Sequence, residues 1–233
     1  MSKIYFFRHA QASFMANNYD QLSEKGIQQS KILGQYLKTQ NIQFDQVFSG
    51  PLERQQHTCQ LVLEQLQLDK EINTIPELKE HQGTEAIKLA YPQLMDKYPQ
   101  LREWKAEIEK NPKLLGRNTM LIFQKFLALW AESEVEVEGV EPWPVFRKDT
   151  KIGFQRILEQ TGKGEKIAVF TSGGTIASIV GDALMVGKES KIADLNFSIR
   201  NTSFSTFLYS KGKYNMLSFN EIPHLSEDLI TFV

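Results

Sequence analysis

An arginine and a histidine stand together at the end of the first hydrophobic run of this chain. Residues 3–7 (KIYFF) are aromatic and β-branched, which predicts a buried strand, and Arg8 and His9 follow directly. Ligands of α/β sheets bind beyond the carboxyl ends of the strands, so we expect this pair at a site of chemistry. A guanidinium can hold phosphate oxygens while a neutral imidazole attacks phosphorus.

Two later segments repeat the order of apolar strand, small-residue turn and helix. The run FDQVF precedes Ser49 and, one helical turn further on, Arg54. The run KIAVF precedes Ser172 and Gly173, where the amides of a helix N-terminus suit an anion. Because parallel strands end at one edge of a sheet, the three segments predict a shared phosphate site.

A leaving alkoxide needs a proton, and the segment IPELKEHQG (residues 75–83) carries two carboxyls that could supply it, Glu77 and Glu80. The residues alone leave both candidates open. His81 lies in the same segment and could reach the pocket, although a plain loop position is the simpler interpretation. The two guanidinium groups should lower the pKa of the His9 imidazole and keep it neutral for attack.

Strands that alternate with helices predict an α/β fold, here a three-layer α/β/α sandwich with a mostly parallel central sheet. The segment 203–219, with KGK at its centre, predicts a terminal hairpin. Residues 79–149 are strand-poor and carry a strong apolar stripe at helical spacing, so we interpret them as a helical insertion. Residues 1–233 then form a single domain.

The bulk composition excludes several classes of protein. The chain has 233 residues, 41% hydrophobic and 24% charged, with a net charge of −1, so we expect no nucleic-acid partner. No apolar stretch approaches the roughly 20 residues that span a bilayer, and we expect no membrane partner. The start is too short in apolar residues for a signal peptide, and Cys59 is the only cysteine, which predicts a reducing, cytoplasmic setting.

Two other enzyme classes have glycine-rich segments like the one at residues 170–177, but the rest of this chain does not match them. The segment FTSGGTIA (residues 170–177) resembles the Thr-Gly-Gly-Thr-Ile segment of bacterial asparaginases. That segment opens those amidohydrolases and is followed by His-Gly-Thr-Asp, which this chain lacks. A phosphate-binding loop of the kinase type needs Gly-Lys-Ser/Thr after the glycines, and this is absent as well.

Motifs along nearly the whole chain resemble those of the histidine phosphatase superfamily, the phosphoglycerate-mutase-like proteins. The order of the motifs agrees with the family, and the tail resembles one bacterial branch of it. The matching segments are RHA (8–10) for Arg-His-Gly, LSEKG (22–26), SGPLER (49–54) followed by Thr58, LKE (78–80) for Leu-x-Glu, RNTS (200–203) and NEIPHL (220–225).

The resemblance implies a mechanism and selects between the two carboxyls. His9 would take the phosphoryl group as a phosphohistidine, Arg8 and Arg54 would bind the phosphate, and Glu80 would protonate the leaving oxygen. Water would then hydrolyse the intermediate, with no metal and no cofactor. A mutase, in which an acceptor takes the group instead, ranks below hydrolysis because it needs a closed pocket that retains the phosphorylated intermediate.

One departure from the family pattern affects the expected rate. Ser172 stands where the family has its second histidine, and loss of one such donor typically costs on the order of 10²–10³ in rate. Ser172 and Gly173 can still bind phosphate through a hydroxyl and an amide, with Ser49, His81 and Glu77 as supporting residues. We therefore expect a slow phosphatase for a small phosphorylated substrate, and as the alternative a pseudo-phosphatase that binds a phosphorylated ligand or partner. The sequence specifies neither the substrate nor the oligomeric state.

Overall fold

A computed structural model describes residues 1–13 and 20–232, and residues 14–19 and 233 lie outside this description. Strands and helices alternate through the first and last thirds of the chain. The strands are β1 (Ser2–Arg8), β2 (Gln46–Ser49), β3 (Ile72–Thr74), β4 (Lys166–Thr171), β5 (Phe204–Ser210) and β6 (Lys213–Glu221). The helices are α1 (Glu24–Thr39), α2 (Glu53–Leu66), α3 (Gly83–Lys97), α4 (Pro99–Lys110), α5 (Leu115–Ala131), α6 (Trp143–Gln160), α7 (Gly173–Ala183) and α8 (Glu189–Asn196).

The strands form one six-stranded sheet in the order β3-β2-β4-β1-β5-β6. Strands β3, β2, β4 and β1 are parallel, whereas β5 runs antiparallel to β1 and β6 antiparallel to β5. The predicted α/β fold with a mostly parallel sheet is therefore confirmed, and so is the terminal hairpin. Strand β3 was not predicted, because three residues carry too little pattern to distinguish a strand from a loop.

Both faces of the sheet are covered by helices, as the three-layer prediction requires. Ile4 and Phe6 of β1 pack with Phe154 of α6 and Val180 of α7. Side chains alternate along a strand, so the next residues of β1 face the other layer. There Phe7 packs with residues of α1 and α2 such as Leu33 and Val62. The strand is therefore apolar throughout its length because each of its faces is buried.

Helix α1 begins where the sequence predicted it. The Ser23 hydroxyl accepts a hydrogen bond from the Gly26 N–H (3.0 Å), which satisfies one unpaired donor of the first turn. A Cβ at Gly26 would lie 2.1 Å from the Gln11 carbonyl oxygen. Only glycine therefore lets α1 approach the segment that follows His9 so closely.

Residues 79–149, predicted to be a helical insertion, are mostly helical in the structure, and this helical region shares its buried cluster with Ile192 and Ala193 of α8. Phe126 and Trp130 of α5 pack with Leu94 of α3 and with Trp143 at the start of α6. Residue 149, the predicted end of the insertion, falls inside α6, whose second half packs in the sheet core through Phe154. The helical region thus merges with the sheet through one continuous helix. Over residues 1–13 and 20–232, every helix is too short or too polar to cross a bilayer.

Candidate active site

The carboxyl ends of β1, β4 and β2 lie side by side in the sheet. Arg8 is paired with Thr171 in the register of β1 and β4, and Ser49 is paired with Phe170 in the register of β2 and β4. The pairing extends one residue further, since the His9 N–H donates to the Thr171 carbonyl (2.8 Å). The structure therefore brings the three segments singled out in the sequence to one edge.

His9 is buried, and its hydrogen bonds indicate which nitrogen carries the proton. Nδ1 lies 2.7 Å from the Ala10 carbonyl, so it donates, and Nε2 accepts from the Arg54 Nε–H (3.1 Å). Burial, with added repulsion from the Arg54 and Arg8 guanidinium groups, holds the pKa of His9 well below its usual value. The imidazole is thus neutral, with its Nε2 lone pair directed at a cation.

Two arginines flank this imidazole, and each is held by other groups. The Arg8 guanidinium donates to the Ile199 carbonyl, and its side chain is buried. Arg54 Nη1 lies 2.6 Å from the Asp20 carboxylate. The same carboxylate accepts from the N–H of Glu53 (2.8 Å), the first residue of α2. Asp20 therefore caps the helix and fixes the guanidinium that the helix carries.

The main chain on either side of His9 is held by two buried polar side chains. Asn201 donates to the His9 carbonyl (3.0 Å). Thr58 accepts from the Ala10 N–H (3.0 Å) and donates to the Arg54 carbonyl (2.7 Å). Sequence reasoning did not assign a role to Asn201; its only signal was the RNTS segment that resembles the family.

Carbonyl groups fix the segment that leads to Glu80. The Leu78 carbonyl accepts from the Thr171 hydroxyl (2.8 Å) and from the Gln55 amide (3.1 Å). The Lys79 carbonyl accepts from the Thr175 hydroxyl (2.6 Å). These donors belong to β4, α2 and α7, so three elements of the sheet domain determine where Glu80 stands.

The Glu80 carboxylate lies against the N-terminus of α7. Its Oε2 accepts from the Gly174 N–H (3.1 Å), and its Oε1 accepts from the main-chain N–H of His81 (2.9 Å). A Cβ at Gly174 would lie 2.2 Å from Oε1. Glycine at this position is therefore a steric requirement for the approach of the carboxylate.

Ser172 is fully buried and is held by Gln55. The Gln55 amide nitrogen donates to the Ser172 hydroxyl (2.7 Å) and to the Leu78 carbonyl, while its oxygen accepts from the Leu52 N–H (3.1 Å). A carbonyl can only accept and an N–H can only donate, so the amide has one orientation. The Ser172 oxygen must accept from Gln55, and its own hydrogen is directed elsewhere. Gln55 was not found from the sequence.

Gly173, the first residue of α7, lies close to Arg8. A Cβ on this residue would lie 2.3 Å from the side-chain amide of Asn196 and 3.4 Å from Arg8 Nε. The N-terminal turn of α7 therefore lies next to the guanidinium of Arg8, with Asn196 of α8 on its other side. Helix α8 was not predicted as part of the site.

Two predicted supporting residues have their recorded polar contacts outside this cluster. The Ser49 hydroxyl donates to the carbonyl of the adjacent Gly50 (3.0 Å). Glu77 Oε1 lies 2.8 Å from Arg156 Nη1 on the outer part of α6. The short 3-10 turn Pro76–Leu78 rotates Glu77 away from Glu80, so the structure brings one of the two candidate carboxyls to the edge. His81 is brought there too, with its side chain 5% exposed.

A comparison with known families identifies the family of this chain. A sequence model of the histidine phosphatase superfamily (branch 1) matches residues 4–222. The chain therefore belongs to the histidine phosphatase superfamily, and the predicted family is confirmed.

Matches to curated relatives are short. The chain is 46% identical over 46 residues to the 2,3-bisphosphoglycerate-dependent phosphoglycerate mutase of Methylorubrum extorquens (strain PA1), which covers 20% of this chain and 22% of the relative. It is 44% identical over 45 residues to the phosphoglycerate mutase of Schizosaccharomyces pombe, covering 19% and 21%. The chain thus matches about a fifth of the length of these curated relatives.

Solved structures share the fold over almost the whole chain. The phosphoserine phosphatase of Entamoeba histolytica in complex with 3-phosphoglyceric acid has a TM-score of 0.63 at 20% identity, covering 97% of this chain and 100% of that chain. The phosphoglycerate mutase of Bacillus anthracis str. Sterne has a TM-score of 0.65 at 21% identity, covering 96% and 94%. The alpha-ribazole phosphatase of Shigella flexneri has a TM-score of 0.61 at 18% identity, covering 94% and 96%. At these identities the likeness shows the fold.

Proposed function

We propose that this chain hydrolyses phosphomonoesters of small molecules through a phosphohistidine on His9. The observation that carries the proposal is the neutral imidazole of His9 with Nε2 3.1 Å from the Arg54 guanidinium. A lone pair that faces a cation in a buried site is suited to attack a group whose oxygens that cation binds. The phosphatase names of several structural relatives support the choice of hydrolysis.

The phosphate would bind between the two arginines and the start of α7. Arg8 and Arg54 supply two positive charges, and the Ser172 hydroxyl and the Gly173 amide supply further donors. Arg54 Nε would exchange its hydrogen bond with His9 for one with a phosphate oxygen, which frees Nε2. The guanidinium groups offset the charge of the phosphate, so the proposal requires neither a metal nor a cofactor.

The reaction would proceed in two displacements at phosphorus. In the first, His9 Nε2 forms a bond to phosphorus, the bond to the ester oxygen breaks, and Glu80 transfers its proton to that oxygen. In the second, water attacks phosphorus, the Glu80 carboxylate accepts a proton from that water, and the phosphorus–nitrogen bond breaks. His9 and protonated Glu80 are restored, and inorganic phosphate leaves.

A pseudo-phosphatase is the second candidate, and the groups at Ser172 and Arg54 favour it. A hydroxyl stands where the family pattern has an imidazole, and an Asp20 carboxylate already lies 2.6 Å from Arg54. Such a site could bind a phosphorylated ligand with little turnover. For the enzyme, the same two features predict slow hydrolysis.

Trapping of the phosphoenzyme distinguishes the two candidates. The protein is incubated with a panel of phosphomonoesters that includes p-nitrophenyl phosphate, and the label is tested for the acid lability and alkali stability of a phosphohistidine. His57 of α2 is not among the buried residues of that helix and provides a control. We expect label and phosphate release with the wild-type chain and with His57→Ala, and neither with His9→Ala. If the wild-type chain gives no label and no phosphate across the panel but still binds vanadate, hydrolysis is refuted and the pseudo-phosphatase is supported.

A further inference from the structure

His81 is an unusual buried histidine because apolar rings surround it. The ring centroids of Phe146, Trp143 and Trp130 lie 5.5, 5.6 and 6.0 Å from that of the imidazole. These rings belong to α6 and α5, so the helical region forms the wall behind His81. The two nitrogens of a buried imidazole need hydrogen-bond partners. Those partners indicate which nitrogen carries the proton.

The partners define the tautomer of His81. The main-chain N–H of Gly83 donates to Nδ1 (3.1 Å), so Nδ1 carries the lone pair and the neutral ring has its proton on Nε2. Nε2 lies 3.5 Å from Glu80 Oε1 and 3.3 Å from the amide of Asn196. The Asn196 atom nearest to Nε2 is the amide nitrogen Nδ2, and two donors cannot share a hydrogen bond. A proton on Nε2 therefore requires the amide to be turned, so that its oxygen takes this position.

The imidazole and the carboxylate are packed together at the start of α7. A Cβ at Gly174 would lie 2.5 Å from His81 Cδ2 as well as 2.2 Å from Glu80 Oε1. Oε1 accepts from the main-chain N–H of His81 and lies 3.5 Å from the ring nitrogen Nε2, whereas Oε2 accepts from the Gly174 N–H. Oε2 therefore has the greater capacity left to carry a proton.

We propose that His81 is a positioning residue for Glu80, and that its Nε2–H keeps Oε1 in place so that Oε2 carries the proton given to the leaving oxygen. This inference rests on the proposed function, because Glu80 acts as a proton donor only in that reaction. Trp130, Trp143 and Phe146 then hold the imidazole in place. Packing in α5 and α6 would in this way determine the position of Glu80.

Leaving-group dependence provides a readout that a purely structural role would not change. An aryl oxygen such as that of p-nitrophenyl phosphate departs without a proton, whereas the oxygen of an alkyl phosphate such as glycerol 2-phosphate needs one. We expect His81→Phe to lower kcat/KM for the alkyl ester about 100-fold, the usual effect of misplacing a reacting group by 1 Å. The aryl ester should lose less than about 3-fold. Equal losses for both esters would overturn the inference.

Two amide variants keep the test informative if the phenylalanine variant fails to fold. A glutamine amide nitrogen can occupy the position of Nε2, and an asparagine amide that of Nδ1. We expect His81→Gln to retain the alkyl activity within about 5-fold and His81→Asn to lose it like the phenylalanine variant. The reverse order would contradict a role for the Nε2–H.

A double-mutant cycle separates this inference from the function on which it rests. Glu80→Gln alone should slow the alkyl ester far more than the aryl ester, and His81→Phe should add less than about 3-fold in that background. A full additional loss would show that His81 acts independently of Glu80 and would overturn the inference alone. Failure of the wild-type chain to hydrolyse either ester would overturn the proposed function and this inference together.

Discussion

Replacing Gly174 by alanine adds a methyl group at the point where Glu80, the proposed proton donor, approaches α7. The new Cβ would lie 2.2 Å from Glu80 Oε1 and 2.5 Å from His81 Cδ2. Contacts below 3.0 Å are essentially never observed for Cβ atoms, so one of the groups must move. Gly174 lies in the first turn of a helix whose N-terminus is buried, and Glu80 is the group that can yield.

The size of the effect follows from the displacement. The carboxylate must retreat by about 0.8 Å to bring the contact from 2.2 Å to 3.0 Å. A catalytic group misplaced by about 1 Å costs about 100-fold in rate, and loss of the Gly174 N–H to Oε2 hydrogen bond removes on the order of 1.5–3 kcal/mol. Alanine in a helix adds about 0.5–1 kcal/mol of stability, which offsets part of the loss. We therefore expect a folded variant with greatly reduced activity.

The assay measures kcat/KM for an alkyl phosphate together with the thermal midpoint of unfolding. We expect Gly174→Ala to lower kcat/KM about 100-fold and to shift the midpoint by only a few degrees. Gly116→Ala is the matched control, because Gly116 also lies in the first turn of a helix and its added Cβ would meet nothing within 4 Å. The control should keep full activity.

A folded Gly174→Ala variant that retains activity within about 3-fold would refute the placement of Glu80 as the proton donor. A second outcome would refute it as strongly. In a Glu80→Gln background the alanine should add almost nothing, since the group it displaces no longer transfers a proton. A full additional loss there would mean that the methyl group acts on something other than Glu80.

Two further predictions concern groups outside the Glu80 contact. Gln55→Met removes the amide that orients the Ser172 hydroxyl. Vanadate affinity measured by calorimetry should then fall about tenfold, as expected for loss of one charge-assisted hydrogen bond. Unchanged affinity in a folded variant would show that this hydroxyl does not face the anion. Burial lowers the pKa of His224 to about 4, below its usual value, so the folded state binds fewer protons than the unfolded state as pH falls. His224 therefore costs on the order of 3 kcal/mol of stability between pH 6.5 and pH 4. Urea unfolding of His224→Phe should show a shallower loss over that interval, and parallel losses would contradict the assignment.

The strand ends were predictable from the sequence because strong local patterns mark them. The runs that become β1, β2 and β4 are short, apolar and followed by turn residues, and the rule that parallel strands share an edge then brought Arg8, Arg54 and Ser172 together. The cap of α1 at Ser23 follows from equally local chemistry. These inferences needed no knowledge of the packing.

The remaining parts of the site depend on contacts between residues far apart in the chain. Gln55 and Ser172 are 117 positions apart, and Asn201 reaches His9 across 192 positions. No local pattern encodes such pairs. The choice between Glu77 and Glu80 depends on how one 3-10 turn rotates successive side chains, which the residues alone left undecided.

The way the chain holds residues 78 and 79 affects how this site can change during evolution. Both residues are attached through their main-chain carbonyls, and every amino acid carries the same carbonyl. The position of Glu80 therefore depends on distant residues such as Thr171 and Thr175. The Lys79 side chain, which pairs with Glu141, can be replaced without loss of the hydrogen bond to the Lys79 carbonyl. Selection can thus change the surroundings of this site while Glu80 stays in place.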